Sequence, residues 1–257
     1  EEDTEVTGFG LAAVKAQAGA VSYDSESQGQ TNRYTHVTYG LGYIVTREEL
    51  EDNLYEVVSK RRIKALAFSI RQTEEIIAAN ILNRAFNAAY PGGDGVALIS
   101  DSHPIVNGTF SNQLTTPAAL SQTSLEQMLI QIRNAVDNNG KRIRLTPKKI
   151  VTGPSNVFQA EVLLKSVLRA GTADNDINPV KSMGLLAEGQ ANLSRITSST
   201  AWWIQTDAPE GLKLLMRRPL EKSMEGDFET DSMRYKATER YTVGWTDPRG
   251  VYGTAGV

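Results

Sequence analysis

The sequence predicts a mixed α+β fold. Residues 62–84, within a longer helical run over residues 46–90, carry apolar side chains at the spacing of an amphipathic helix. Residues 235–245 instead alternate between apolar and polar side chains, which is typical of a β-strand. Two shorter helix signals and several short strand candidates lie between these two stretches. Helices and strands are therefore expected to occur together in one chain.

The composition excludes several kinds of site. The 257 residues suffice for one large domain or two smaller, joined ones, and they include no cysteine. A protein without thiols has no disulfide, no cysteine nucleophile and no cysteine-ligated metal. The 27 basic and 30 acidic residues give a net charge of −3, which disfavours dedicated nucleic-acid binding. The longest apolar runs are far shorter than the roughly 20 residues that span a bilayer, so we expect a soluble chain.

The N-terminal part is predicted to be extended. Residues 1–20 show no sustained periodicity and are expected to form an extended arm. Residues 21–23 and 34–45 are β-type runs, and the stretch 24–33 between them is polar and contains Gly29. This pattern predicts a long β-hairpin with a solvated tip. Because two strands alone are marginally stable in water, the hairpin should rest on its own domain or on a neighbouring chain.

A long helical run follows the hairpin. Thr46 and Glu49 have the spacing of a capping box at a helix start, and the run ends before Pro91. About 44 residues lie between these ends, and a straight helix of that length would extend roughly 65 Å. Since this exceeds the width of a compact domain of this size, a break is expected near residues 59–62. The second part, residues 62–84, is predicted to be an amphipathic spine helix.

Shorter elements are predicted in the C-terminal half. One helix is expected from a capping-box pair at Ser124 and Gln127 to Gly140, and another over residues 155–171. In the last strand, Glu239 is the one interruption of the apolar face. The predicted strands are residues 142–145, 149–152, 202–205, 212–217 and 235–245.

The chemistry-bearing residues form no recognisable catalytic site. His36 and His103 are the only histidines, and neither has the spacing of a paired metal ligand. Asp101, Ser102 and His103 include the three residue types of a serine-hydrolase triad. Triad members must converge from separate segments, however, and adjacent residues cannot do so. A serine hydrolase is therefore the least favoured interpretation.

One polar loop has a residue pattern similar to that of a calcium-binding loop. Residues 174–178 place oxygen-bearing side chains at alternate positions, as a calcium-binding loop does. The sixth position is Pro179 where such loops need glycine, and the twelfth is Leu185 where they need glutamate. A turn stabilised by Asn and Asp side chains is the better interpretation. The residues thus predict no catalytic, cofactor-binding or metal-ligating site.

The order of the segments resembles that of tailed-phage major capsid proteins. An arm, a long hairpin, a spine helix, a mixed domain and a closing strand follow one another in the expected order. The resemblance covers most of residues 20–257, and its most specific motif is the stretch 172–179. The segments similar to the Mu-like branch of these coat proteins are Ser102-His103-Pro104 with Gly108 and Ser111-Asn112, Ala119-Leu120-Ser121, and residues 145–151, 171–179 and 241–250.

The resemblance implies a structural protein without enzymatic activity. Members of this family have an N-terminal arm, an extended E-loop, a peripheral P-domain containing the spine helix, and an axial A-domain. Carried over to this chain, the arm is residues 1–20, the E-loop 21–45, the P-domain 46–140 and 219–257, and the A-domain 141–218.

The resemblance also implies partners and a location. Copies of the chain would assemble in the host cytoplasm into the hexamers and pentamers of an icosahedral head. Portal and scaffold proteins and, in some members, decoration proteins would join them. The virion capsid would enclose double-stranded DNA without sequence-specific binding, and no membrane would take part.

Physical reasoning from the residues favours assembly independently. An extended arm and an overhanging hairpin cannot bury their own apolar residues, so large contacts between copies are expected. Head-to-tail contacts between identical chains close into rings when the rotation permits. The alternative within the structural class is an encapsulin-type nanocompartment, which shares the fold but holds proteins rather than a genome. The alternative from another class is the serine hydrolase with Asp101, Ser102 and His103.

Overall fold

The structure, a computed structural model, describes residues 1–52, 55–106, 108–169 and 176–257, with the backbone alone for residues 27 and 55–59. Its mixture of helices and strands confirms the predicted α+β class. In the described part of the chain, none of the helices has both the length and the apolar character that a bilayer crossing needs. The chain divides into two compact units, which are considered in turn.

The elements are numbered in chain order. The strands are β1 Glu2–Thr7, β2 Ser27–Arg33, β3 Val37–Val45, β4 His103–Ile105, β5 Gly108–Phe110, β6 Pro147–Thr152, β7 Gln190–Asn192, β8 Trp202–Thr206, β9 Leu212–Gly226, β10 Met233–Trp245 and β11 Val251–Thr254. The helices are α1 Arg47–Glu51, α2 Tyr55–Asn83, α3 Gln122–Arg133, α4 Val157–Lys165 and α5 Pro179–Ser182. Short 3₁₀ turns cover Pro154–Asn156 and Pro248–Gly250.

The first unit is built on a three-stranded sheet in the order β3-β10-β9. β10 runs antiparallel to β3 and sets Tyr235 opposite Tyr43, and the two rings stack with their centroids 4.9 Å apart. Alternate residues of β10 share a face, on which Ala237, Glu239 and Tyr241 are buried. The last predicted strand, with its one polar interruption, is thereby confirmed. This unit consists of Glu1, Tyr34–Ile81 and Leu214–Gly244.

Helix α2 contradicts the predicted break near residues 59–62, because it runs without interruption over Tyr55–Asn83. At about 1.5 Å per residue, its 29 residues extend roughly 44 Å. The preceding helix α1 ends at Glu51 and is capped as predicted by Thr46, whose hydroxyl accepts a 3.4 Å hydrogen bond from the Glu49 amide. The Lys and Arg residues at the expected break are good helix formers. The expectation of a break there therefore rested only on the length of the helical run.

The predicted hairpin over residues 21–45 is wrong. β2 pairs antiparallel with β1, which sets Glu2 opposite Arg33, and β3 pairs with β10 instead. The Glu2 carboxylate and the Arg33 guanidinium lie 2.6 Å apart across the first pair. Both strands of this pair are polar, so neither shows the alternation of a half-buried strand, and the sequence pattern does not reveal them. In the predicted arm, residues 1–20, strand β1 occupies Glu2–Thr7. The following residues 8–26 contain neither helix nor strand.

The second unit is built on a four-stranded sheet in the order β11-β8-β6-β7. β6 and β7 are parallel, and the other neighbours are antiparallel. Helix α3 buries Leu125, Met128 and Ile132 in a core that also contains Ile150 of β6 and Trp202 of β8. The core of this unit therefore lies between α3 and the sheet. The unit consists of Glu2–Arg33, Leu82–Lys213 and Trp245–Val257.

The shorter strand predictions are confirmed in part. β6 and β8 contain the strands predicted at residues 149–152 and 202–205. Residues 142–145 contribute an isolated bridge between Arg142 and Val136 instead of a strand. β9 contains the strand predicted at residues 212–217 and continues nine residues beyond it, to Gly226.

The shorter helix predictions have the right type but shifted ends. α3 begins three residues early, because Ser121 caps it and Ser124 occupies the third helical position of the capping box. The Ser124 hydroxyl accepts from the Ser121 amide at 3.0 Å. α3 ends at Arg133, ahead of the expected Gly140. α4 lies within the helix predicted over residues 155–171 but ends at Lys165, six residues ahead of the expected end, which itself lies outside the described residues.

Gly250 and Gly211 bring two backbone segments of the second unit into contact. We predict that Gly250→Ala lowers the free energy of unfolding by about 1–3 kcal/mol, because its Cβ would overlap the Cα of Gly211 and backbone cannot move aside as a side chain can. Urea denaturation followed by fluorescence measures this unit, which contains all 3 tryptophans. In the control Gly8→Ala, the added Cβ meets nothing within 4 Å, and equal losses in the two variants would contradict the argument.

Candidate intersubunit surfaces

His103 is buried between two fixed partners. Its Nδ1 lies 2.5 Å from Oδ2 of Asp94, and its Nε2 lies 3.1 Å from Oδ1 of Asn112. The side-chain Nδ2 of Asn112 lies within 3.0 Å of three backbone carbonyls and shares its two hydrogens among them, so Oδ1 of Asn112 must accept and Nε2 of His103 must donate. Ser102 and Asp101 are exposed whereas the imidazole is fully buried, so the three side chains do not converge as a triad must. His103 therefore has a structural role.

Arg249 is a buried cation that the sequence pattern does not identify. Its Nε donates to the Val136 carbonyl at 2.7 Å, and its Nη2 donates to Oδ1 of Asn138 at 2.6 Å. Carboxylate oxygens of Asp247 and Glu5 lie 3.2 and 3.6 Å from its Nη1. Burial, and then the neighbouring Asp247 carboxylate, raise the pKa of Glu5. Strand β1 is thereby tied to the C-terminal segment of its own unit.

Asn178 organises the loop that imitates a calcium site. Its Oδ1 accepts from the Val180 amide at 3.1 Å and from the side-chain amide of a glutamine in α3 at 3.2 Å. Its Nδ2 donates to the carbonyls of Leu163 and Ser166 at 2.7 and 3.1 Å. The side chain thus forms a turn of the kind the sequence predicts and caps α5. Residues 174 and 175 of that loop lie outside the described residues.

The connection between β1 and β2, residues 8–26, leaves large apolar side chains uncovered. Leu11, Val14 and Tyr23 are 83%, 101% and 96% exposed. The Lys141 ammonium donates to the carbonyl of residue 9 at 2.5 Å and holds the start of this segment. Apolar side chains held in this way are typical of a surface that another chain covers.

A groove of about 230 Å³ lies within the first unit, between α2 and the strands β9 and β10. The exposed Lys222 of β9 borders it. An apolar groove with a cationic border favours an apolar side chain carried on an acidic segment. Its apolar lining includes Ile63, Leu66, Ala67 and Ile70 of α2 and Leu220 and Met224 of β9.

A second groove, of about 260 Å³, lies within the second unit between α3 and α5. Ile130 and Met183 line it and are 59% and 58% exposed. Neither groove could be predicted from the sequence, because each combines segments that are brought together by the tertiary fold. Each unit therefore offers an apolar surface to a further chain.

Glu239 is a buried carboxyl on the helix-facing side of the first sheet. The residue is 4% exposed, and its Oε1 has no hydrogen-bond partner among the described residues. Burial, and then the charge of Glu74 on α2, raise the pKa of Glu239. Burial and the neighbouring Glu239 likewise raise the pKa of Tyr241, whose buried hydroxyl has no hydrogen-bond partner in the part of the chain that the structure describes. The polar interruption seen in the sequence is thus a real exception within the apolar face.

A comparison with protein families identifies the chain. The model of the family described as phage capsid protein matches residues 29–254. The chain belongs to the phage capsid protein family. No curated protein sequence matches it.

Solved capsid structures share the fold of this capsid protein. The capsid of Myoviridae phage XM1 is 9% identical with a TM-score of 0.53, and the match covers 100% of this chain and 85% of that one. The acidic stable capsid of Helicobacter pylori bacteriophage KHP30 is 9% identical with a TM-score of 0.57, and covers 98% and 83%. The capsid of cyanophage P-SCSP1u is 10% identical with a TM-score of 0.57, and covers 98% and 82%.

The family establishes the function of this capsid protein. It is a structural subunit, the major capsid protein of a phage head, and its place is the virion shell. The serine-hydrolase alternative is wrong, because the protein is not an enzyme and His103 is committed to Asp94 and Asn112. The encapsulin-type alternative is the less supported one.

We predict that Asn178→Ala lowers the free energy of unfolding of the capsid protein by about 3 kcal/mol. The change leaves the buried carbonyls of Leu163 and Ser166 and the Val180 amide without their partner. Urea denaturation followed by tryptophan fluorescence measures the loss. Asn192→Ala, at an exposed position of β7, should stay within about 0.5 kcal/mol of the parent. A similar effect at both positions would show that the Asn178 contacts are not the cause.

We predict that Glu239→Gln raises the melting temperature by about 2–4 °C at pH 7.5. Since the folded state raises the pKa of Glu239, it binds the proton more tightly than the unfolded state does. Stability of the parent therefore rises as the pH falls from the folded pKa toward the unfolded value of about 4.3. The gain of the variant should vanish near pH 4, as measured by circular dichroism. Exposed Glu26→Gln is the control, and a gain that persists at pH 4 would refute the titration argument.

Proposed function

We propose that copies of this capsid protein form the hexamers and pentamers of an icosahedral head around double-stranded DNA. The observation that carries the proposal is the exposed segment 8–26. Leu11, Val14 and Tyr23 face solvent there, although the segment is anchored to its own unit at both ends through β1 and β2. Burying a large apolar side chain contributes about 1.5–3 kcal/mol, so a neighbouring copy that covers this segment is stabilised against dissociation.

The family's division into domains is part of the proposal. The arm, residues 1–20, and the E-loop, residues 21–45, would carry intersubunit contacts, as the exposure of Leu11, Tyr23 and Leu41 favours. The A-domain, residues 141–218, falls largely within the second unit. The P-domain, residues 46–140 and 219–257, contributes to both units.

Membership of the Mu-like branch is proposed from the motifs of the sequence. Two of those motifs contain residues with a structural role, since Asn112 holds His103 by a hydrogen bond and Asn178 caps α5. Portal and scaffold proteins and, in some members, decoration proteins are the proposed partners. The net charge of −3 suits a wall that encloses DNA without binding its phosphates tightly.

We predict that the purified chain sediments as rings or as megadalton shells, which negative-stain electron microscopy should show as closed particles. The double variant Leu11→Ser, Val14→Ser should keep the far-ultraviolet circular dichroism of the parent and lose the closed particles, because both side chains are exposed in the single chain. Val257→Ser, at another exposed apolar position, is the control and should still assemble. A monodisperse parent monomer at micromolar concentration would contradict the proposed function.

A further inference from the structure

The turn between β9 and β10 presents an aromatic side chain to solvent. Phe228 is 98% exposed at this turn. Asp227 fixes the turn, because its Oδ2 accepts from the Thr230 hydroxyl at 2.7 Å and from Nη2 of Arg234 at 2.5 Å. The Asp227 amide also donates to the Ser232 carbonyl at 2.8 Å. The chain thus holds an apolar side chain away from its own core in a defined turn, and this arrangement favours an intermolecular contact.

The charges around Phe228 are complementary to the groove of the first unit. Glu225 and Glu229 are exposed on either side of the aromatic residue. The groove is apolar and is bordered by the exposed Lys222. Its volume of about 230 Å³ is sufficient for a phenyl ring, since a cavity of about 150 Å³ holds benzene.

The turn of one chain does not fill the groove of the same chain. Phe228 is exposed in the structure, and Met224, the groove residue nearest to it in sequence, lies four residues before it. At about 3.3 Å per residue, this separates the two by roughly 13 Å along a straight strand. The hairpin would have to bend back on itself to close that distance.

We propose that Phe228 of one copy inserts into the groove of a second copy, where Glu225 and Glu229 lie near Lys222. The contact joins two different surfaces of the same chain and is therefore of the head-to-tail kind that closes into rings. The inference rests on the proposed function, of which it names one contact. The ion pairs lie at the border of the contact and set its orientation, while the aromatic side chain supplies the buried area.

Cysteine cross-linking tests the contact directly, because the natural chain has no cysteine. One preparation carries Phe228→Cys, and the other carries Ala67→Cys in the wall of the groove, where the residue is exposed. Mixed under assembly conditions and oxidised, they should give a disulfide-linked dimer that neither gives alone at the same yield. Phe158→Cys, at another exposed aromatic, replaces Phe228→Cys in the control and should not cross-link to Ala67→Cys. Equal yields with Phe158→Cys would overturn the proposal.

Charge reversal tests the orientation. Glu225→Lys with Glu229→Lys should raise the protein concentration needed for assembly by about tenfold at low salt, because like charges then meet across the contact. Adding Lys222→Glu to the same chain restores opposite charges and should restore assembly. Failure of this rescue, with circular dichroism unchanged, would overturn the proposed orientation.

The outcomes separate this contact from the function on which it rests. Parent particles that are closed but give no Phe228–Ala67 cross-link would overturn the contact and leave the capsid assembly intact. Absence of any particle from the parent chain would contradict the proposed function itself. The competing occupant is the exposed segment 8–26, and a cross-link from Tyr23→Cys to Ala67→Cys in place of the Phe228 cross-link would assign the groove to that segment.

Discussion

Burial of the Arg249 guanidinium is the constraint on which the second unit depends. The side chain is 4% exposed, and a cation removed from water is stable only when its donors are satisfied and its charge is balanced. Glu5 of β1 and Asp247 supply the balancing charge. The Phe110 ring lies 4.5 Å from the guanidinium and stacks on His103 at 4.8 Å. The N-terminal strand, the β4–β5 hairpin and the C-terminal segment must therefore fold together.

This constraint also determines which residues remain for assembly. Because β1 is held by Arg249 and β2 is paired with β1, residues 8–26 form a loop anchored at both ends and not a free tail. An anchored loop loses less conformational entropy on binding than a free tail of the same length. Leu11, Val14 and Tyr23 are thus presented at a defined place on the unit. A capsid subunit with such a loop can gain affinity for a neighbouring copy without refolding.

Local patterns in the sequence predicted helices and strands, but they did not predict which distant strands pair. The strand at residues 235–245 and the helix that became α2 follow from periodicity, and even the exception at Glu239 was visible. The β1–β2 pair was not visible in the sequence, because its two strands are polar, have no apolar alternation and are held by backbone hydrogen bonds. The groove and the Arg249 cluster combine residues far apart in sequence. Local sequence patterns carry no signal for such proximity.

The two departures from local rules in the first unit fall on the same hairpin. Phe228 is apolar where a turn is normally polar, and Glu239 is a carboxyl where the strand face is otherwise apolar. In sequences that fold well, local propensity, hydrophobic pattern and core packing favour the same structure. Residues that break this agreement therefore indicate a requirement other than folding of the single chain. Glu239 lies two residues from Ala237, which lines the groove, and it faces Glu74 on α2, which forms the opposite wall. Because Glu239 and Ala237 lie on the same face of β10, the strand places this buried carboxyl next to the groove.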